Sequence, residues 1–440
     1  MLSTSIGRWS VLVLAFGLLI SIFSVMFAAV EAERLIFTLI KPLDQVETIS
    51  LSGPGCLGRV LAEPVTSQLD FPHWDNSAMD GYAVRSSDIK SAPTTLDVIE
   101  EIPAGKRPQK ALNLGQAARI LTGAMMPDGA DAVVMQEETT RGGEQVTILQ
   151  MQKPQAFVRR RGSFYQAGAE LLAPGQSLAP PEVALLAAAQ QTDVSVYRRP
   201  RVAILSTGSE LVRPDQSLGP GQIVDSNQYA LTALVAQTGA EALPLGIVQD
   251  DREGVKAAIA TALTQADIVI STGGVSVGDD VFFDAVLEER GATLHIRSVA
   301  VKPGKPLTVA TFEGKGEGEG VAPRRRAVYF GLPGNPASAM VGFWRFVGPA
   351  IAKLSGMRGP WAPTFVWATA TSELKAGGGR ETYLWGQLAI GEAGYAFGRA
   401  AGSHSSGNLV NLANTNGLGV VPQGETLISV GQRLRVLKIR

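Results

Sequence analysis

The chain has 440 residues, 45% of them hydrophobic and 18% charged, which supplies apolar material for real cores and is not the composition of a disordered chain. At about 150 residues per domain, the length accommodates about three domains. Lys plus Arg number 39 and Asp plus Glu 40, and a formal net charge of -1 argues against a bulk nucleic-acid binder. A single cysteine, Cys56, excludes an intramolecular disulfide or a cysteine-built zinc site, and His73, His295 and His404 are too scattered to expect a multi-histidine metal site.

Residues 11–30, VLVLAFGLLISIFSVMFAAV, run twenty positions without a charge, long enough to span a bilayer. Arg8 precedes the run and Glu31 and Glu33 follow it, so an anchor would keep the N-terminus in the cytoplasm and send the rest outside. A signal peptide is the second reading, without a convincing small-x-small cleavage site. A start at Met26 is the third. It would remove most of the run and leave a helix whose Leu35, Ile36, Leu39 and Ile40 recur at helical spacing.

Residues of about 70–160 alternate in short segments broken by Gly and Pro, the pattern of a mostly β module. PPEVALLAAAQ reads as a helix with Pro181 in its first turn. From Arg201 strands and helices alternate: RVAILS, a helix over NQYALTALVAQTG, EALPLGIV, a helix over REGVKAAIATALTQA, DIVIS and a helix over FFDAVLEERG. Extended runs follow to Val309, then AVYFG and one long helix over 336–354. This is the signature of a doubly wound, mostly parallel α/β sheet covered on both faces. The stretch EGKGEGEGVAPRRR at 313–326 reads as a surface loop. From about Trp361 the chain is strand-like to its end, a small C-terminal β domain.

Three Gly-rich turns each follow a core strand: STGSE with Glu210, STGGVSVGDD with Gly273, Gly274, Ser276, Asp279 and Asp280, and GLPGNP with Pro333, Gly334, Asn335 and Pro336. In an open parallel sheet ligands bind beyond the carboxyl ends of the strands, so the three turns would line one crevice. Glycines let backbone amides approach a ligand closely, which suits phosphate. VKPGKPLTV holds Lys302 and Lys305 on a turn stiffened by Pro303 and Pro306; the pair suits an anion, and a solvated turn explains it equally well. Asp250 and Asp251 stand between a strand and a helix, where one aspartate can cap and the other can hold Mg²⁺ through water. FPHWDNSAMDGYAVR brings Asp75 and Asp80 five residues apart, and ILTGAMMPDGADAVV offers Thr122; both are also ordinary turn chemistry. Arg380 follows three glycines, as a hairpin or an anion contact. No nucleophile–His–acid triad is readable, and His73 beside Trp74 is read as a structural or rim residue.

DNSAMDGYAVR, LTGAMMPDGADAVV, LSTGSEL, STGGVSVGD, VKPGKPL and GLPGNPASA, in that order, make residues 26–440 resemble the molybdopterin molybdenumtransferases, the family that includes the gephyrin E domain. The resemblance implies insertion of molybdate into adenylylated molybdopterin, with Mg²⁺ as cofactor and release of AMP. It implies an elongated homodimer of four subdomains, with the active site between the α/β domain of one subunit and the N-terminal part of the other. The division expected here is an apolar leader at 1–25 and an N-terminal helical and β portion at 26–69 and 162–198. A β module inserted at 70–161, an α/β domain at 199–356 and a β domain at 357–440 complete it. The implied catalytic residues are Asp75, Thr122, Glu210, Asp250 and Lys302, with Glu210 and Asp250 as metal ligands. Pro333 and Pro336 are implied in the substrate site, and Arg380 and Ser405 or Ser406 match molybdate contacts of some members. The substrate-binding set expected from turns and resemblance together adds Gly273, Gly274, Ser276, Asp280, Lys305, Gly334 and Asn335.

Three positions depart from the family's pattern. Phe164 stands where many members have an aspartate, Ser298 where many have a lysine, and Val281 at a frequent aspartate position. Arg297 and Asp280 are the neighbours that would cover for the last two. Members usually begin near EAERLIFTLIKPL, and their chemistry belongs to the cytoplasm, so Met26 is the favoured start, with a membrane-tethered enzyme as its alternative. Two other functions stay open: a non-catalytic, gephyrin-like scaffold, and a molybdopterin adenylyltransferase, the expected upstream partner, which resembles only the α/β part.

Overall fold

The computed structural model describes residues 26–53, 55–274, 280–314, 326–392 and 394–440. The apolar run up to residue 25, Ser276 and most of the 313–326 stretch lie outside the described residues. Among the described residues no helix is long and apolar enough to cross a membrane.

The centre is a six-stranded sheet. Its strands are β1 (Arg201–Thr207), β2 (Glu241–Val248), β3 (Ile268–Thr272), β4 (Ala292–Ser298), β5 (Pro306–Phe312) and β6 (Ala327–Leu332), in the spatial order β2-β1-β3-β6-β5-β4. The pairs β2–β1, β1–β3 and β3–β6 are parallel, whereas β5 runs antiparallel to both β6 and β4. β3 and β6 are buried at every position, as strands covered on both faces must be.

Side-chain alternation assigns the two faces. Val202 and Ile204 of β1 pack with Leu231 and Val235 of α3 (Asn227–Gln237). Ala203 and Leu205 pack with Ile259 of α4 (Arg252–Gln265) and Val286 of α5 (Asp280–Glu289). The N-terminal helix α1 (Ala29–Leu39) joins the first face through Ala32, Ile36 and Ile40. Just before it Phe27 donates its N–H to the Ser298 carbonyl at 3.2 Å and accepts from the Ala300 N–H at 2.8 Å. The start of the described chain is therefore bonded to the loop that leads into Lys302.

PPEVALLAAAQ forms α2 (Pro180–Ala188). The long helix expected over 336–354 exists but is not uniform. It runs as α6 (Pro336–Gly342), a wider π turn at Phe343–Val347 and α7 (Gly348–Leu354). Pro349 has no N–H to give the Arg345 carbonyl, and the Gly348 N–H reaches back to Phe343, one residue further than in an α-helix.

The inserted stretch folds as a six-stranded sheet in which Gly81–Val84 lies between Ala132–Met135 and Gln116–Ile120. Short pairings tie it back: Val65–Thr66 with Glu170–Leu172, and Asn76–Ser77 with Val158–Arg159. At the other end of the chain five strands close on themselves, because Glu381–Gly391 pairs with both Gly394–Arg399 and Gly417–Val421. The segment Val301–Lys302 adds to this sheet, parallel to Glu381 and Thr382. The fold is thus a multi-domain α/β protein with a C-terminal β domain, and Lys302 stands where the two meet.

Candidate active site

The carboxyl ends of β1, β3 and β6 open into one cleft of about 1400 Å³, whose opposite wall comes from the C-terminal domain. Glycine is required where the turns crowd together. Gly273 (φ +89) leaves no room for a Cβ, which would stand 2.1 Å from the Thr207 carbonyl oxygen. Gly334 packs on Gly273, with a built Cβ 3.6 Å from the Gly273 Cα. The three turns are one surface of backbone in mutual contact.

Glu210 lines the cleft with its carboxylate folded back on Gly208, where a Cβ would meet Oε2 at 2.6 Å. Its carbonyl accepts the Ile223 N–H at 2.9 Å, and the parallel pair Leu211–Val212 and Ile223–Val224 fixes the loop. The two neighbouring aspartates divide their roles. Asp251 caps α4, accepting the Gly254 N–H at 2.8 Å, and Asp250 lines the cleft.

Lys302, Lys305 and Arg380 line the facing side. Arg380 Nη1 donates to the Val301 carbonyl at 3.3 Å, tying it to the Lys302 strand. Among the described residues no carboxylate lies within ion-pair distance of these three cations, so their charge is available to an anion. Pro333, Gly334, Asn335, Pro336, Gly273, Gly274 and Ser405 border the same space. The Ser406 carbonyl accepts the Ala337 N–H at 2.9 Å, which anchors the serine loop to the start of α6. His404 beside them is held by a tilted ring contact with Trp385, centroids 4.5 Å apart, and by its Nε2 against the Ala400 carbonyl at 2.9 Å. Burial pushes its pKa below the ordinary imidazole value, and nearby Arg399 adds to the effect.

The charge-altering positions resolve differently. Ser298 and Arg297 both border the cleft, but Arg297 is bonded to Asp284 at 2.5 Å and to Glu288 at 3.4 Å, so it is not an uncommitted stand-in for a lysine. Asp280 opens α5 together with Val281. Phe164 is 62% exposed in an aromatic cluster with Phe71, its ring 5.7 Å from the Phe71 ring.

Asp75 and Thr122 are not in the cleft. They sit together at one end of the inserted sheet, where Asn76 bridges Met125 and the Met126 N–H donates to the Asp75 carbonyl at 2.9 Å. Asp75 Oδ1 accepts the Arg161 N–H at 2.7 Å. The Thr122 hydroxyl and N–H both donate to Asp80 Oδ1 at 2.7 Å, and these bonds, the hydroxyl first, hold the Asp80 carboxyl below the usual range.

Sequence reasoning missed Asp225 and Asn227, which also line the cleft. Their signal was the run Asp225-Ser226-Asn227 at the head of a helix, three capping residue types in succession.

Among the described residues no group of three or more His, Cys, Asp or Glu is gathered to hold a metal ion. Mg²⁺ does not need one, since it keeps several waters and takes one or two carboxylates plus substrate phosphates. Glu210 and Asp250, two oxygen donors on one cleft, fit that habit.

Comparison with known proteins matches three successive segments of the chain. Residues 28–189 match the MoeA N-terminal region (domain I and II), 203–353 a probable molybdopterin binding domain, and 368–439 the MoeA C-terminal region (domain IV). The chain is 52% identical over 414 residues to a molybdopterin molybdenumtransferase of Nostoc sp., covering 93% of each chain. It is 37% identical over 379 residues to one from Haemophilus influenzae, covering 86% of this chain and 90% of that one. A crystal structure of the molybdopterin biosynthesis moeA protein of Pyrococcus horikoshii superposes with a TM-score of 0.77 at 28% identity, over 94% of this chain and 100% of that one.

Proposed function

Because the chain belongs to the molybdopterin molybdenumtransferase family, transferases of molybdenum cofactor biosynthesis, we propose that its cleft holds adenylylated molybdopterin and molybdate and that AMP leaves as the metal is inserted. The observation that carries this reading is the set of three cations, Lys302, Lys305 and Arg380, that have no carboxylate partner among the described residues and face the glycine turns across one cleft. Molybdate is a dianion and the substrate carries phosphates. Preorganised donors in a partly desolvated cleft stabilise such charge better than water does.

Lys302, Lys305 and the amides of the glycine turns hold the phosphates in this reading, and Arg380 with Ser405 receives molybdate. Glu210 and Asp250 would hold Mg²⁺, which when bound supplies Lewis-acid polarisation of the phosphoanhydride. Transfer of the metal to the dithiolene sulfurs then asks for positioning rather than a side-chain nucleophile. Asp75 and Thr122 act from a second copy of the chain, in a homodimer whose cleft each partner completes. The substrate comes from an adenylyl-transfer reaction upstream, and the work is done in the cytoplasm.

The test is AMP release from adenylylated molybdopterin. The reading expects release that depends on both molybdate and Mg²⁺. No release would favour a scaffold, and consumption of ATP with free molybdopterin would favour an adenylyltransferase.

A further inference from the structure

We infer that Asn227 is a positioning and specificity residue of the cleft: its side-chain N–H fixes the GLPGNP turn, and its Oδ1 accepts a hydrogen bond from an N–H or O–H donor of the bound substrate. The inference rests on the reading that a nucleotide-capped pterin binds here.

Asn227 is the first residue of α3, is 8% exposed and borders the cleft. Its Nδ2 donates to the Gly334 carbonyl at 2.7 Å. A carbonyl only accepts, so the orientation of the amide is settled by its partner. The nitrogen points to Gly334 and the oxygen faces the other way. Among the described residues that oxygen has no hydrogen-bond partner, yet it is not sealed from solvent.

The backbone beneath is pinned as well. Asp225, 3% exposed, accepts the N–H groups of Asn227 at 3.0 Å and Gln228 at 3.2 Å, and its own N–H donates to the Val212 carbonyl at 2.9 Å. Gly334 in turn rests on Gly273, and Gly273 on Thr207. The Asn227 side chain therefore supports the contact between all three turns and cannot rotate without releasing Gly334.

A neutral acceptor oxygen repels an oxyanion. It is out of place as a phosphate or molybdate contact, and in place against a donor. An adenylylated pterin offers donors of one chemistry from two sources: the amino and ring N–H edge of the pterin, and the ribose hydroxyls of the nucleotide. The cations across the cleft cannot serve either, since Lys and Arg carry no acceptor.

The experiment titrates the full chain and Asn227→Ala with AMP alone, with a reduced pterin alone and with molybdate alone. Loss of one neutral hydrogen bond weakens the affected ligand roughly three- to tenfold. Weakening of the pterin but not molybdate places Oδ1 on the pterin edge, and weakening of AMP but not molybdate places it on the ribose. Equal binding of all three by both proteins overturns the inference, as does an equal loss for all three, which is collapse of the turn without selectivity. If neither AMP nor the pterin binds the parental chain, the reading of the cleft fails instead. Thermal unfolding is followed in parallel, and Asn227→Ser, which keeps a short polar side chain at the helix start, replaces the alanine variant if that one does not fold.

Discussion

Gly273 lies against Thr207 so closely that the carbonyl oxygen of one occupies the place where a Cβ of the other would be built, 2.1 Å away. Gly273→Ala therefore meets two obstacles, backbone at contact distance and a left-handed φ of +89. Overpacking of this kind costs about 1–3 kcal/mol. Because the displaced atoms form the cleft surface, AMP release is expected to fall further than stability does. Comparing urea unfolding with AMP release checks this; full activity in the variant would contradict it.

Arg345 joins three parts of the molecule inside the core. Its side chain is 5% exposed and pairs with Glu33 of α1, while its Nε lies 4.0 Å from Glu381 at the start of a C-terminal strand. Glu381 also accepts the Tyr383 hydroxyl at 2.5 Å. Arg345→Met leaves the partly buried Glu33 carboxylate without its cation, whereas Glu381 keeps Arg435 at 3.4 Å, and is expected to destabilise the chain by about 3 kcal/mol. Denaturant unfolding measures it, and a loss below about 1 kcal/mol, the scale of an exposed ion pair, would contradict the arrangement.

His404 gives a pH dependence with a definite sign. Its folded pKa is depressed below the ordinary imidazole value of 6.5 by burial, so the unfolded chain takes up the proton first as pH falls. The contribution to stability is whole above the unfolded pKa and declines as pH drops below it toward the folded pKa. Melting temperature should therefore fall between about pH 7.5 and about pH 5.5 by more in the parental chain than in His404→Gln. Parallel curves would remove His404 from the account.

The separation of Asp75 and Thr122 from the cleft leads to a mixing experiment. Asp75→Ala and Lys302→Ala should each abolish AMP release. In randomly mixed dimers about half are mixed and each of those has one intact cleft of two, so about a quarter of parental activity returns. Absence of any recovery, with mixed dimers demonstrated, would contradict a cleft completed by a second copy.

Much of the cleft was legible because its parts announce themselves locally. A Gly-rich turn after an apolar run places Glu210, Gly273 and Pro333 at strand ends without knowledge of the tertiary fold. Asp250 and Asp251 could be named as one cap and one cleft residue, but only the structure decides which is which. Asn227 hid because its residue type has a sufficient local explanation at a helix start, and its bond to Gly334 spans 107 positions. The same is true of the Val301–Lys302 strand, whose partners Glu381 and Thr382 belong to another domain. Long-range pairing leaves no periodicity to read. The π turn at Phe343–Val347 was not foreseen in the long helix expected over 336–354, because its cause is a single missing donor, the N–H that Pro349 lacks for the Arg345 carbonyl, and not a change in periodicity.

The most direct measurement is crystallographic: crystals of the full chain soaked with AMP, molybdate and Mg²⁺. The account predicts ligand density in the cleft, with the nucleotide phosphate on Lys302 and Lys305, the oxyanion at Arg380 and Ser405, and a cation between Glu210 and Asp250. Well-ordered ligands elsewhere on the molecule with this cleft filled only by solvent would contradict it.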